Sequence, residues 1–293
     1  MAQAALRRHE NAPGAFFVDS SCIDCDTCRW MAPATFERRG GKSAVVAQPA
    51  GAGERRDALR ALVSCPTASI GAAGQGTALA EAARDFPIPV AGSVFHCGYH
   101  DASSFGATPY LIRRKEGNVL VDSPRFAAPL VRRLEELGGV AWLVLTHRDD
   151  VADHDRFARH FGAKRVLHRD DAPVPGGPVE VFLEGRLPTE VVPGLTAIPT
   201  PGHTKGHVVY HWSQPEGDVL FSGDHCEWDE AARHVAGWPG VCWYDWGEQT
   251  ASHRRLADWG FEHLLPGHGR RVSLPPDAMK AAVLRGADWM AKQ

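Results

Sequence analysis

The last two thirds of the chain alternate short apolar runs with loops rich in His, Asp and Gly. Tyr110 to Arg113 and Val119 to Val121 flank the turn Glu116-Gly117-Asn118, which predicts a hairpin. From Ala128 to Leu137 the positions Leu130, Val131, Leu134 and Leu137 recur at helical spacing. Ala141 to Leu145 is a short apolar run that suits a buried strand. Phe157 to Phe161 reads as a helix and Arg165 to Leu167 as a strand. Leu195 to Ile198, Val208 to His211 and Val219 to Phe221 are further strands. Ser252 to Gly260 reads as a helix and His263 to Leu265 as a strand. Mixed strands and helices of this kind predict an α/β layered architecture.

The first quarter reads differently. It is short of long apolar runs and holds four of the seven cysteines. Gly71 to Thr77 has linker composition, an Ala-rich helical stretch follows over Ala78 to Asp85, and Pro87 and Pro89 end it. The expected division is 1–75, a linker over 76–90, and 91–293.

Composition narrows the function classes. The chain has 293 residues, 44% of them hydrophobic, and a net charge of -3. That excludes disordered and fibrous classes and gives no reason to expect nucleic acid as a partner. No apolar stretch approaches the roughly 18 residues of a membrane span. The N-terminus lacks a secretory apolar region, so a cytoplasmic location is expected. In a reducing compartment clustered cysteines point to metal or catalysis, and the odd count argues against a disulfide framework.

The cysteines form one constellation, Cys22-Ile-Asp-Cys25-Asp-Thr-Cys28 with a remote Cys65-Pro66. Four thiolates are soft ligands suited to iron–sulfur or zinc. Three at i, i+3 and i+6 can wrap one cubane, and the fourth must come from elsewhere in the fold. This stretch resembles a bacterial-type single-cluster ferredoxin domain, which implies one [4Fe-4S] cluster on Cys22, Cys25, Cys28 and Cys65.

Four separated pieces carry the second constellation: Thr146-His147-Arg148-Asp149-Asp150-Val151-Ala152-Asp153-His154, Gly202-His203, Gly223-Asp224-His225 and Gly267-His268-Gly269. Each follows an apolar stretch, so each is expected on a loop at a strand end, where site residues collect. Together they resemble the metallo-β-lactamase fold, in its glyoxalase II-like and flavodiiron-like forms. The resemblance implies an N-terminal α+β ferredoxin-like domain followed by an αββα sandwich with a dinuclear metal site. Its ligands would be His147, Asp149, Asp153, His154, His203, Asp224 as the bridge, and His268. The second histidine of the family's first motif is missing. Asp149 stands at that position, with Asp150 the other candidate. A carboxylate for imidazole leans toward iron over zinc.

These features imply a diiron oxidoreductase fed by its own cluster. An external ferredoxin, flavodoxin or reductase would supply electrons to turn over a small-molecule substrate. The alternatives are a dinuclear zinc or iron hydrolase of a thioester, ester or phosphoester, with Asp153 or Asp224 orienting the attacking hydroxide, and a redox or gas sensor. His225, directly after the bridging Asp, is a further catalytic candidate. His96, Cys97, Tyr99 and His100 read as pocket wall or packing.

Overall fold

A computed structural model describes residues 2–293. The larger part is built from two sheets laid face to face with helices outside each, the αββα arrangement expected. The first sheet has seven strands, running from Ile88–Ala91 at one edge to Val181–Leu183 at the other. The second has six, from Thr189–Val192 to Val272–Ser273.

Strand alternation explains the layering. Val119 and Val121 face inward, against Leu195, Val208, Tyr210, Val219 and Phe221 of the opposite sheet. Leu120, with Leu111 and Leu143, faces outward under Leu130, Val131 and Leu134 of helix Ala128–Glu136 and Phe157 of helix His154–Phe161. On the far side Val209, Leu220 and Leu264 face out beneath Met279, Ala282 and Val283 of helix Pro276–Met290. Burial on both faces is why these strands read as continuous apolar runs.

The expected hairpin forms, with Leu111 opposite Leu120. The helix expected from Ser252 instead begins at Trp246. Asp245 caps it by accepting the Glu248 N–H at 2.8 Å, a signal masked by the aromatic run before it. Helix Pro276–Met290 was not anticipated. Its apolar positions, Met279, Ala282, Val283 and Ala287, are small or spaced loosely.

The N-terminal part has its own core of Phe16, Val18, Phe36, Val45, Ala58, Leu59 and Ile70. Helix Ala52–Ser64, also not anticipated, lies across it. Residues 76–90, expected as linker, hold helix Gly76–Ala83 and the start of the edge strand Ile88–Ala91. Ala82 is buried in the N-terminal core, while Phe86 belongs to the core of the larger domain. Among the described residues no helix is long and apolar enough to cross a membrane.

Candidate metal centres and the cavity between them

Cys22, Cys25, Cys28 and Cys65 are all free thiols lining one small cavity with Val18, Ile23, Pro66 and Ile70. The loop wraps tightly because Asp24 and Asp26 take left-handed backbone conformations, φ 65° and 68°. Arg29 fixes those turns, pairing with Asp24 at 2.6 Å and Asp26 at 2.5 Å. Two backbone amides point at sulfur: Asp24 N–H toward Cys22 Sγ at 3.5 Å and Ser69 N–H toward Cys65 Sγ at 3.3 Å. Such donors favour thiolate over thiol. Burial, opposing them, pushes the Cys25 thiol up to about 11 and Cys28 higher still. A cation is needed to hold these sulfurs ionised.

The second centre gathers at one edge of the two sheets. His147 follows strand Trp142–Val144, and His203 follows Leu195–Pro199. Asp224 follows Val219–Gly223, and His268 follows His263–Pro266. Asp149 Oδ2 lies 3.8 Å from both His147 Nε2 and His203 Nε2. Asp224 Oδ2 lies 3.6 to 3.7 Å from the Nε2 atoms of His147, His203 and His268. Asp150 Oδ1 is 3.9 Å from His268 Nε2. Two overlapping donor groups result: His147, Asp149 and His203, and His147, Asp150 and Asp224.

These separations are too long for hydrogen bonds. His147 Nε2, Asp150 Oδ2, His203 Nε2 and Asp224 Oδ1 are buried and make none. Each such atom costs about 1–3 kcal/mol, so the set calls for bound cations. Burial, followed by Asp224 and Asp122, holds the Asp150 carboxyl far above the ordinary range. For Asp224 burial likewise raises the carboxyl, but His268, His147 and His203 outweigh it, and the carboxyl is lowered. Gly267 leaves the room: a Cβ there would meet Asp224 Oδ1 at 2.8 Å and Asp150 Oδ2 at 3.0 Å.

Supporting residues orient this set. Asp122 accepts both the N–H of Thr146, at 2.8 Å, and its hydroxyl, at 3.0 Å. The Thr146 oxygen is then left to accept from His147 Nδ1 at 3.0 Å. That places the proton on Nδ1 and leaves the Nε2 lone pair facing the site. Burial keeps this ring neutral, lowering it to about 4. Asp171 ties two ligand loops together. It accepts Arg148 N–H at 3.1 Å, Thr204 O–H at 2.6 Å and Gly206 N–H at 2.7 Å. His207 Nε2 accepts the Asp224 N–H at 3.2 Å. Asp122 and Asp171 went unnoticed in the sequence, since a lone Asp after an apolar run carries no distinguishing signal.

The expected ligand set needs three corrections. Asp153 is not at the centre: its Oδ2 accepts the Phe126 N–H at 2.7 Å, and it precedes helix His154–Phe161. His154 is not there either, since its Nε2 meets the Pro175 carbonyl oxygen at 2.7 Å. The cause is Val151, which is buried in the core. Anchoring it turns Asp150 inward and carries the next three residues away with the helix. Asp150, weighed only as a substitute for Asp149, takes a place beside it. His225, the further catalytic candidate, is buried and does not line the cavity. It packs between His207 and His253, at ring separations of 5.8 and 5.5 Å.

One cavity of about 1020 Å³ joins the two centres. Cys25 of the cysteine loop lines it, as do Asp149, Asp150, His203, Asp224 and His268. Gly106, φ +87°, sits against Cys25, so close that a Cβ would lie 3.1 Å from Sγ. The neighbouring Phe105 ring is 6.1 Å from that of His268. Thr27 Oγ1 also bridges the domains, 3.3 Å from His100 Nδ1. His100 Nε2 is 2.8 Å from His96 Nε2. Thus His96 and His100 are buried interface residues, apart from the cavity.

Comparison with known proteins finds two separate matched stretches. Residues 18–72 match the family described as "4Fe-4S single cluster domain of Ferredoxin I". Residues 105–227 match the metallo-beta-lactamase superfamily. Protein YmaE of Bacillus subtilis is 31% identical over 127 residues, 41% of this chain and 46% of that protein. A hydroxyacylglutathione hydrolase of Acidiphilium cryptum is 32% identical over 126 residues, 39% of this chain and 49% of that protein. The chain thus spans about half the length of the curated relatives it matches. Among solved structures, the FEZ-1 metallo-beta-lactamase of Legionella gormanii aligns with a TM-score of 0.52 at 17% identity, covering 70% of this chain and 95% of that one. The DIM-1 metallo-beta-lactamase aligns with a TM-score of 0.53 at 16% identity, covering 69% and 95%. At these identities the likeness is one of fold.

Proposed function

We propose that this chain, which joins a ferredoxin-type single-cluster domain to a domain of the metallo-β-lactamase fold, is a redox metalloenzyme. Its N-terminal domain serves the metal-binding edge of the sandwich with single electrons. The observation that carries this reading is the shared cavity. A cysteine of the cluster loop lines the same space as Asp224 and His268, and Gly106 and Phe105 fill the gap between them. A purely structural cluster would have no need to open onto the reaction chamber.

Cys22, Cys25, Cys28 and Cys65 would hold one [4Fe-4S] cluster. His147, Asp149 and His203 would hold one metal, Asp150 and His268 the other, and Asp224 would bridge them. When bound, the cluster supplies one-electron steps and the metal pair Lewis acidity, with redox capacity if the metals are iron. Three carboxylates beside three imidazoles form a harder donor set than a histidine-rich one, which favours iron. Thr146 and Asp122 keep His147 neutral and aimed, and Asp171 and His207 fix the loops that carry Arg148, Thr204 and Asp224. The second subsite, with fewer protein donors, leaves room for a substrate. An external one-electron carrier is the implied partner.

A second reading, hydrolysis of a thioester or related ester, is favoured by the relatives named as hydroxyacylglutathione hydrolases. Anaerobic purification with metal analysis and electron paramagnetic resonance separates the two. The redox reading expects about six irons per chain, with a dinuclear signal that appears on partial reduction. Two zincs per chain, and hydrolysis of a hydroxyacylglutathione thioester that persists after the cluster is lost, would overturn it.

A further inference from the structure

We propose that Glu227 is a catalytic proton donor to a flat, uncharged substrate held in the cavity between the two domains. This rests on reading that cavity as the reaction chamber, and not on which metals occupy it.

The carboxyls lining the cavity divide by their partners. Asp24 and Asp26 are engaged by Arg29, and Asp24 also by Arg38 at 2.8 Å. Asp149, Asp150 and Asp224 belong to the histidine cluster. Glu227 remains. It opens strand Glu227–Asp229, is partly buried, and among the described residues makes no ion pair with a cation. Its Oε1 accepts the indole N–H of Trp238 at 2.6 Å. The other oxygen, Oε2, lies where a side chain at position 269 would go, against the Cα of Gly269. Gly269 directly follows His268, so this oxygen, with no side-chain partner among the described residues, sits beside the metal-binding loop.

The groups facing Glu227 favour its protonated form. Asp26 approaches from the N-terminal domain and Asp224 from the metal loop. Only the Trp238 N–H and the backbone at Arg270 act in the opposite sense. Burial first, then these carboxylates, raise the carboxyl to about 7. A group that is half protonated near neutrality is suited to general acid work.

The walls indicate the substrate class. Phe105, Trp238, Val241, Trp243, Pro173 and Pro175 supply apolar surface. Phe105, Val241 and Trp243 are also left open to solvent, at 53%, 44% and 61%. Exposed aromatics at a cavity mouth suit a flat apolar body. Of the two arginines lining the space, Arg29 is already paired and Arg148 sits half exposed beside Asp149. Away from the metal cluster, the walls therefore offer no unpaired arginine buried in the cavity to hold an anionic group.

In the step proposed, the Glu227 O–H bond breaks and its electron pair stays on the carboxylate. The proton goes to a substrate heteroatom that is gaining electron density. For a quinone the two electrons come from the one-electron carrier through the N-terminal domain. The second proton comes from water entering the mouth, which also reprotonates Glu227.

The test compares the holoprotein with E227Q, whose amide oxygen can still accept from Trp238, and with E227D. Infrared difference spectra should show a protonated-carboxyl band at pH 6 that is lost by pH 9 and absent from E227Q. Wild-type protein lacking that band would overturn the proposal. The second readout is reoxidation of dithionite-reduced protein by menadione, a flat uncharged quinone. The wild-type rate should fall tenfold per unit above about pH 7. E227Q should be about 100-fold slower at pH 6 and flat with pH, and E227D should recover part of the rate. An E227Q rate and profile equal to wild type would overturn the proposal. If menadione does not react but a hydroxyacylglutathione thioester is hydrolysed, the redox reading fails. The same comparison on thioester hydrolysis then decides for or against Glu227. Wild-type protein inert to both probes overturns it.

Discussion

The cysteine cradle and the histidine–aspartate cluster solve the same problem in different ways. The cradle takes three of its four donors from a seven-residue loop whose turns are set by its own Asp24 and Asp26 with the adjoining Arg29. The cluster takes its six donors from four loops that lie between His147 and His268. Three of these loops are held by residues outside the donor set: Asp122 through Thr146, Asp171 across two loops, His207 under Asp224. A local site is specified by spacing. An assembled site is specified by whatever pins its loops, so its donor list can shift by one or two residues without any change in the fold.

The largest effect should come from separating the two sites genetically. Asp224→Ala removes the carboxylate that faces three histidines at once. Removing one partner of a buried charged set costs about 3–5 kcal/mol, which is roughly 100- to 1,000-fold or more in metal affinity. Metal analysis should show loss of the dinuclear pair while the cluster's visible absorption persists. Cys28→Ala should do the reverse. Loss of both centres in either variant would mean that the two domains do not load independently.

A smaller effect sharpens the contrast within one loop. Asp150→Asn should weaken one of the two metals by about 10- to 100-fold, as loss of a donor or its support does elsewhere. Asp153→Asn should leave metal content unchanged. It should cost only about 0.5–1.5 kcal/mol of stability in a denaturant titration, the worth of the hydrogen bond to the Phe126 N–H. Reversed outcomes would restore the motif spacing that the structure sets aside.

That loop shows where the sequence ran out. The mixed α/β character was legible because the central strands are apolar on both faces and helix Ala128–Glu136 shows one stripe, Leu130, Val131 and Leu134, while the αββα layering came from the family resemblance. His147, Asp149, His203, Asp224 and His268 were legible because a Gly or an apolar run marks each loop. Asp153-His154 misled because the pair matches a family motif in type, while its direction depends on Val151 entering the core. Asp122, Asp171 and Glu227 were invisible for a related reason. Their roles come from partners 23 to 35 residues distant, or from a cavity that forms only when the two domains meet.

The smallest effect tests that meeting point. Thr27 sits between Cys25 and Cys28, and its hydroxyl lies 3.5 Å from Cys25 Sγ, 3.3 Å from His100 Nδ1 and 3.4 Å from the Gly106 carbonyl oxygen. All three contacts are long. The Gly106 oxygen keeps a better donor in His100 Nδ1 at 2.8 Å. Thr27→Val preserves the shape and strands no buried partner, so stability should fall by no more than about 1 kcal/mol. Its electronic consequence should be separable. A hydroxyl beside a cluster sulfur stabilises the more negative, reduced state. Removing about 0.5–1 kcal/mol of that preference lowers a one-electron potential by roughly 20–40 mV. A redox titration followed by electron paramagnetic resonance measures it directly. An unchanged potential would show that this hydroxyl serves only to seat one domain on the other, leaving Gly106 and Phe105 as the contacts through which the two sites sense each other.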